Sequence, residues 1–271
     1  MLLTFDVGNS ETTLGLFDGD LLYAYWRIIT DTPRTSDEVA VLLRGLIAGA
    51  GVSSADVQGV AIASVVRGMA NHLVEACQRE FPVQRMEVFD ASSPLPITLD
   101  VDEPLTVGAD RIINTLVASR RYQRDCVVVD LGTATTFDCI TRDGVFLGGV
   151  IAAGVRTSAE TLFRRTSKLP ATELVAPAHT IGRRTEDCIR AGVMFGNAEL
   201  IDGIVRRILA EWPRPERPMV IATGGLAELF APICTCFDEV DPFLTLSGLA
   251  MAHSLVGQPS PELEKQREQG A

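Results

Sequence analysis

Positive charge is scarce in this chain. The 271 residues hold 24 Lys and Arg against 35 Asp and Glu, a formal net charge of −11, and the pI is near 4.8. A nucleic-acid binder needs a basic face, because affinity tracks the number of phosphates neutralised, so that class is excluded. Any anionic ligand must be held by backbone amides, helix ends or a metal. Only Lys168 and Lys265 supply lysine, and neither follows a glycine-rich turn, which removes the P-loop nucleotide binders. No G-x-G-x-x-G follows a strand pattern, and the dinucleotide-binding reading goes with it. The chain also lacks a run of the ~18 apolar residues that a bilayer span needs. The apolar start at 1–5 stops at Asp6 and has no basic stretch ahead of it, unlike a secretory signal. Cysteine is sparse too: six residues are scattered through a chain long enough to fold without disulfides, which predicts reduced thiols and a cytoplasmic protein. Cys234 and Cys236 are the one close pair; lacking a second pair or a neighbouring His, they read as strand-borne thiols rather than a metal site. His72, His179 and His253 show no ligand spacing.

Apolar residues are plentiful at 46%, enough for one large core or two medium ones, so bulk disorder is excluded. Alternating patterns at 2–7, 12–17 and 21–29, punctuated by Gly8-Asn9 and Asp18-Gly19, predict three successive strands. Thr35-Ser36-Asp37-Glu38 has capping-box form ahead of a helix reaching about residue 48. A buried strand (57–66), a helix (68–81) and a further strand (83–89) follow. The Pro-rich stretch 92–104 is the clearest break before a helix at 110–122. The second half opens the same way, with strands at 127–130, 135–141 and 145–151. Helices then start near 158 and at 186–212, with a strand at 219–223 and a last helix at 244–255.

That parallel extends to residues. Asp6-Val7-Gly8-Asn9-Ser10-Glu11-Thr12 matches Asp130-Leu131-Gly132-Thr133-Ala134-Thr135-Thr136, each copy at a strand end entering a hairpin. Two copies of one β-β-β-α-type unit predict a duplicated α/β fold with a cleft between the halves, divided into 1–115 and 116–257, with a polar tail at 258–271. Each copy sets a carboxylate beside a glycine- and hydroxyl-bearing turn. Such turns let backbone N–H groups approach phosphate oxygens, and the carboxylates can orient a hydrated Mg²⁺. Plainer roles stand beside these. Asp6 and Asp130 also suit turn-forming aspartates, Asp110 suits the first turn of a helix through the macrodipole, and Thr185 suits an N-cap. Gly224 and Gly225 suit either a strand-to-helix turn or a close backbone approach to a ligand.

The two Asp-x-Gly turns together with Thr223-Gly224-Gly225 resemble the phosphate and adenosine motifs of the acetate and sugar kinase, heat-shock chaperone and actin superfamily. More closely, the chain resembles type III pantothenate kinase. The motifs that carry this are Gly108-Ala109-Asp110-Arg111, the run 130–138, Gly148-Gly149-Val150-Ile151 with Gly154, Ile181-Gly182-Arg183 with Thr185, and Leu244-Thr245-Leu246 with Gly248-Leu249. They occur in that order over residues 1–257. The resemblance implies duplicated actin-like (ribonuclease H-like) domains and ATP-dependent phosphorylation of pantothenate to 4′-phosphopantothenate, the first step of coenzyme A synthesis. It assigns the general base to Asp110 and pantothenate binding to Gly108, Ala109, Asp110, Arg111 and Thr185. ATP binding falls to Asp6, Val7, Gly8, Asn9, Ser10, Glu11, Thr12 and Thr13, with Thr133, Gly224 and Gly225. It places a monovalent cation, K⁺ or NH₄⁺, at Asp130, Mg²⁺ with the ATP, and the protein in a cytoplasmic homodimer.

Ser10 stands in place of the usual Thr and keeps the hydroxyl, while Arg67 and Ala153 replace prolines. Val101 replaces a Tyr that contacts substrate in the family. That last departure leaves two alternatives open: a weak or inactive nucleotide-binding regulator, or a same-fold kinase of another small alcohol. The apolar arc Ile189, Val193, Met194, Ala198, Ile201, Ile204, Val205 and Ile208 is wider than one core face needs. It predicts that this long helix forms a two-fold interface, which would deliver Thr185 to the partner's pocket.

Overall fold

In the computed structural model, which describes residues 1–30 and 34–256, each strand pattern becomes a ladder position. β1 (Leu2–Val7) lies at the centre of a five-stranded sheet with β2 (Glu11–Asp18), β3 (Leu21–Ile29), β4 (Gly59–Ser64) and β5 (Arg85–Phe89), in the order β3-β2-β1-β4-β5. The β1–β2 and β2–β3 pairs are antiparallel, and β1–β4 and β4–β5 are parallel. Alternation sorts the faces. Leu3, Phe5 and Val7 of β1, Leu14 and Leu16 of β2, and Val60 and Ile62 of β4 pack on Val39, Leu43 and Ile47 of α1 (Ser36–Gly49) and on Leu73 and Cys77 of α2 (Met69–Glu80). Thr4 and Asp6 therefore point to the opposite face. The capping box forms as expected: Glu38 N–H donates to Thr35 Oγ1 at 3.3 Å, and Thr35 N–H donates to Glu38 Oε2 at 2.7 Å.

The second sheet comprises β6 (Thr98–Leu99), β7 (Cys126–Leu131), β8 (Ala134–Ile140), β9 (Val145–Ala153), β10 (Met219–Thr223) and β11 (Glu239–Val240), in the order β11-β10-β7-β8-β9-β6. Set aside β6 and the order β9-β8-β7-β10-β11 repeats the first sheet strand for strand, with the same parallel and antiparallel pairs. The duplication seen in seven residues thus governs a whole topology. Its register differs by one. Val7 pairs with Thr12, but Leu131 pairs with Thr135, so the second hairpin is one residue shorter and Thr135, not Thr136, corresponds to Thr12.

The chain divides into two compact units, one of Met1–Pro96, Leu105–Val117 and the chain from Thr245, the other of Ile97–Pro104 and Ala118–Leu244. The patterning predicts contiguous halves meeting near 115; the units are discontinuous for two packing reasons. Thr98 and Leu99 pair with Val145 and Phe146, which carries the Pro-rich segment into the second sheet. Helix α7 (Leu244–Val256) returns to the first unit, where Gly248 abuts Ile113 and Val117 of α3 (Ala109–Tyr122) and His253 Nδ1 pairs with Glu87 of β5. The expected tail at 258–271 lies outside the described residues. In the second unit, α4 (Val155–Arg164), α5 (Thr185–Glu211) and α6 (Ala227–Phe230) complete the set. Cys234 and Cys236 lie in the loop before β11, not on a strand, and Asp202 of α5 accepts the Thr235 and Cys236 amides there at 3.0 and 3.1 Å.

Candidate active site

In the first unit two carboxylates, Asp6 and Asp110, lie close enough for the charge of one to act on the other. Asp6 sits one residue from the end of β1, its backbone locked between Thr13 of β2 and Ala63 of β4. Asp110 is the second residue of α3, and its Oδ1 accepts the Arg111 N–H at 2.8 Å while lying over Gly108, where a Cβ would approach it to 2.5 Å. Burial pushes the Asp110 carboxyl up, against the pull of the Arg111 amide and guanidinium. Burial, and then the charge of Asp110, push Asp6 up to about 7. Two acids raised in this way favour a cation or a proton-sharing hydroxyl beside them. Of the neighbouring turn, Asn9, Ser10 and Glu11 are exposed, and Gly8 N–H donates to Glu11 O at 3.0 Å. Val7 belongs to the apolar core, and Thr12 Oγ1 shares a buried hydrogen bond with Thr30 Oγ1 at 2.7 Å. Thr13 is half-buried opposite Asp6.

The second unit builds the matching corner around Asp130, between Thr136 of β8 and Thr223 of β10. Gly224 follows with φ 87°, and a Cβ there would come within 2.3 Å of Asp130 Oδ1 and 2.9 Å of Leu131 N. Both the left-handed backbone and the lack of space require glycine. Gly225 is exposed beside it. The Thr133 side of the corner is held by α4, a feature that sequence spacing does not assign. Thr133 O accepts from Gly154 N at 3.2 Å and from Thr157 Oγ1 at 2.7 Å. A Cβ on Gly154 would meet that carbonyl at 2.3 Å. The one trace of this clamp in the sequence is a glycine followed three residues later by a hydroxyl.

Thr185 also lies in the second unit, exposed, as the first residue of α5. The N-cap is Arg184, without a side-chain cap bond, so the N-cap reading of Thr185 is corrected: helical geometry starts one residue sooner and leaves the hydroxyl outside capping. Val101 packs across β9, 3.6 Å from where a Gly148 Cβ would stand. The apolar arc of α5 is likewise reassigned. Ile189, Val193, Met194, Ala198, Ile201 and Val205 are buried, and Ile204 and Ile208 pack on the same core with β7 and β10, so the unit's own sheet uses that arc up. The exposed apolar side chains of this unit are Ile151, Leu162, Phe163, Val175, Ile181 and Leu200.

Among the described residues no group of three or more His, Cys, Asp or Glu side chains could cage a metal. The residues do fit a cation held largely by its ligand. Mg²⁺ keeps water and phosphate ligands and asks only one or two carboxylates of the protein. Asp6 offers one in the first unit, and Asp130 offers one in the second.

A family model described as type III pantothenate kinase matches residues 2–207. A protein named type III pantothenate kinase from Anaeromyxobacter sp. (strain K) is 44% identical over 254 residues, covering 93% of this chain and 98% of that one. Among solved structures, a protein described as a Baf family transcriptional activator from Campylobacter jejuni superposes with a TM-score of 0.57 at 20% identity, over 94% of this chain and 98% of that one. MreB 5 of Spiroplasma citri does so with a TM-score of 0.52 at 11% identity, over 100% and 98%. Both likenesses carry the fold alone, a duplicated actin-like α/β architecture. With the family model over most of its length and close relatives end to end, the chain belongs to the type III pantothenate kinase family.

Proposed function

We propose that the protein transfers the γ-phosphoryl group of ATP to the primary hydroxyl of pantothenate, giving 4′-phosphopantothenate and ADP, at the entry to coenzyme A synthesis. Family membership supports the reaction, and the Asp6–Asp110 pair is the observation that carries its chemistry. Asp110 takes the hydroxyl proton as that oxygen bonds to the γ-phosphorus and the bridge to the β-phosphate breaks. A carboxylate raised by burial is a better base than one in water, and phosphoryl transfer asks little else of a protein beyond positioning and charge. Gly108, Ala109, Arg111 and Thr185 bind pantothenate, with Arg111 offsetting negative charge. The Asn9–Ser10 turn, the Thr133 turn clamped by α4, and the Gly224–Gly225 backbone bind ATP. Mg²⁺, when bound, neutralises charge on the β- and γ-phosphates, and a K⁺-like ion at Asp130 adds to this in a protein with so few lysines. The exposed apolar residues on β9, α4 and the segment after it support a homodimer, whereas the apolar arc of α5 is taken up by its own core. No helix among the described residues is long and apolar enough to cross a membrane.

The test is ADP release with and without pantothenate. Pantothenate-dependent turnover is expected; turnover only with another alcohol would replace the substrate, and no turnover would restore the regulator. Asp110→Asn should lower kcat by at least ~10²-fold with ATP affinity nearly intact, because a general base contributes roughly 10²–10⁴. Near-normal kcat would remove Asp110 from that role.

A further inference from the structure

The first unit also buries polar groups that the proposed reaction leaves unused. Asn114 lies four residues after Asp110 on α3 and is 1% exposed. Its Oδ1 accepts the hydroxyl of Thr245, at the start of α7, at 2.9 Å. With Oδ1 turned to Thr245, Nδ2, fully buried, has no hydrogen-bond partner among the described residues. Buried amide donors are seldom left so, and each one calls for a reason. Position supplies it. Residues four apart share a helix face at about 5–6 Å between Cβ atoms, and helical side chains lean over the preceding turn. For Asn114 that turn carries Asp110. The neighbouring Ile113 and Val117 are occupied against Gly248 of α7.

Building on the reading of Asp110 as the base, we propose that Asn114 is its positioning residue: Nδ2 donates toward the Asp110 carboxylate through one bridging water, while Thr245 holds the amide from its other edge. Arg111 N–H already holds Oδ1. A second donor from deeper in the helix restrains the carboxylate plane and favours the ionised base in a site that burial otherwise turns against charge. Thr245 thereby ties the setting of α7 to the orientation of the base.

The full-length kinase with Asn114→Leu, of similar volume and without the amide, tests this. The expected result is a roughly 10-fold fall in kcat, the scale of lost outer-shell support, with KM for pantothenate and for ATP within about twofold. Placed on Asp110→Asn, the same change should cost nothing more, because the group it positions is gone. Thr245→Val should lower kcat less, and not additively with Asn114→Leu. Unchanged kcat in Asn114→Leu, an equal further loss on Asp110→Asn, or a loss appearing in KM would each overturn the proposal. If Asn114→Leu does not fold, Asn114→Ser and Asn114→Ala serve instead. Serine keeps a donor and should retain the higher kcat, and equal values would count against the proposal. An active Asp110→Asn would sink the base reading itself, whereas an impaired Asp110→Asn beside an unaffected Asn114→Leu sinks only the role of Asn114.

Discussion

Asp6 is costly to the protein that carries it. Its carboxyl holds a proton up to about pH 7 when folded, against 3.8 ordinarily, so between those values the folded state binds more protons than the unfolded one. Stability therefore falls as pH rises from about 4 to 7, and the loss is complete above 7. Every tenfold change in proton affinity is worth about 1.4 kcal/mol, so the loss is on the order of 4 kcal/mol. Asp6→Asn, free of nucleotide and metal, should then be more stable than wild type by about that amount at pH 8 and nearly equal to it at pH 4, while binding ATP more weakly. Urea titrations at the two pH values, with calorimetric nucleotide binding, check both halves. A variant no more stable at pH 8 would show that Asp6 ionises without penalty. The strand patterning places Asp6 at a strand end, but the Asp110 charge that acts on it comes from α3, about a hundred residues on, and no local pattern contains it.

Helix α4 and helix α5 show how elements divide support from function. The N-terminal turn of α4 holds the Thr133 carbonyl through Gly154 and Thr157. Gly154→Ala is expected to push that turn aside, because the added methyl would stand 2.3 Å from the carbonyl oxygen. We expect ATP affinity to drop at least ~10-fold for a stability loss of about 1–3 kcal/mol, the usual cost of overpacking. Calorimetry and thermal melts on one preparation separate the two; full affinity would take the clamp out of nucleotide binding. Helix α5 acts as core: Met194 and Ile201 are fully buried against the second sheet. Ile201→Ala should cost about 2–5 kcal/mol in chemical denaturation and leave oligomeric state unchanged. Dissociation of a dimer by that change, without loss of subunit stability, would return α5 to an interface. Its apolar arc was legible in sequence but its partner was not, since periodicity gives the width of a stripe and not what covers it.

At the scale of the whole molecule, charge sets the requirement. A chain of net charge −11 with lysine at only two positions must meet a triphosphate with arginines, amides and metal ions. Turnover should accordingly be highest in K⁺ and fall when Na⁺ replaces it at constant ionic strength. Equal rates in the two salts would leave Asp130 without a cation role. The sheet repeat adds its own constraint: one ladder plan, used twice, puts an aspartate at the same place in each unit.

The sequence by itself determined the elements, the repeat and the two Asp-x-Gly corners. These follow from alternation, capping residues and glycine placement, all expressed within a few residues of chain. Thr35 to Glu38 formed its box, and the Asp6 and Asp130 turns fell at equivalent strand ends. Only the tertiary structure decided the rest. It put the Pro-rich segment on the second sheet and α7 back on the first. It shortened one hairpin by a residue, buried the α5 arc in its own core and bonded Asn114 of α3 to Thr245 of α7. Each of these depends on which distant surfaces meet, and pairing and burial between residues tens to hundreds of positions apart leave no periodic mark on the chain.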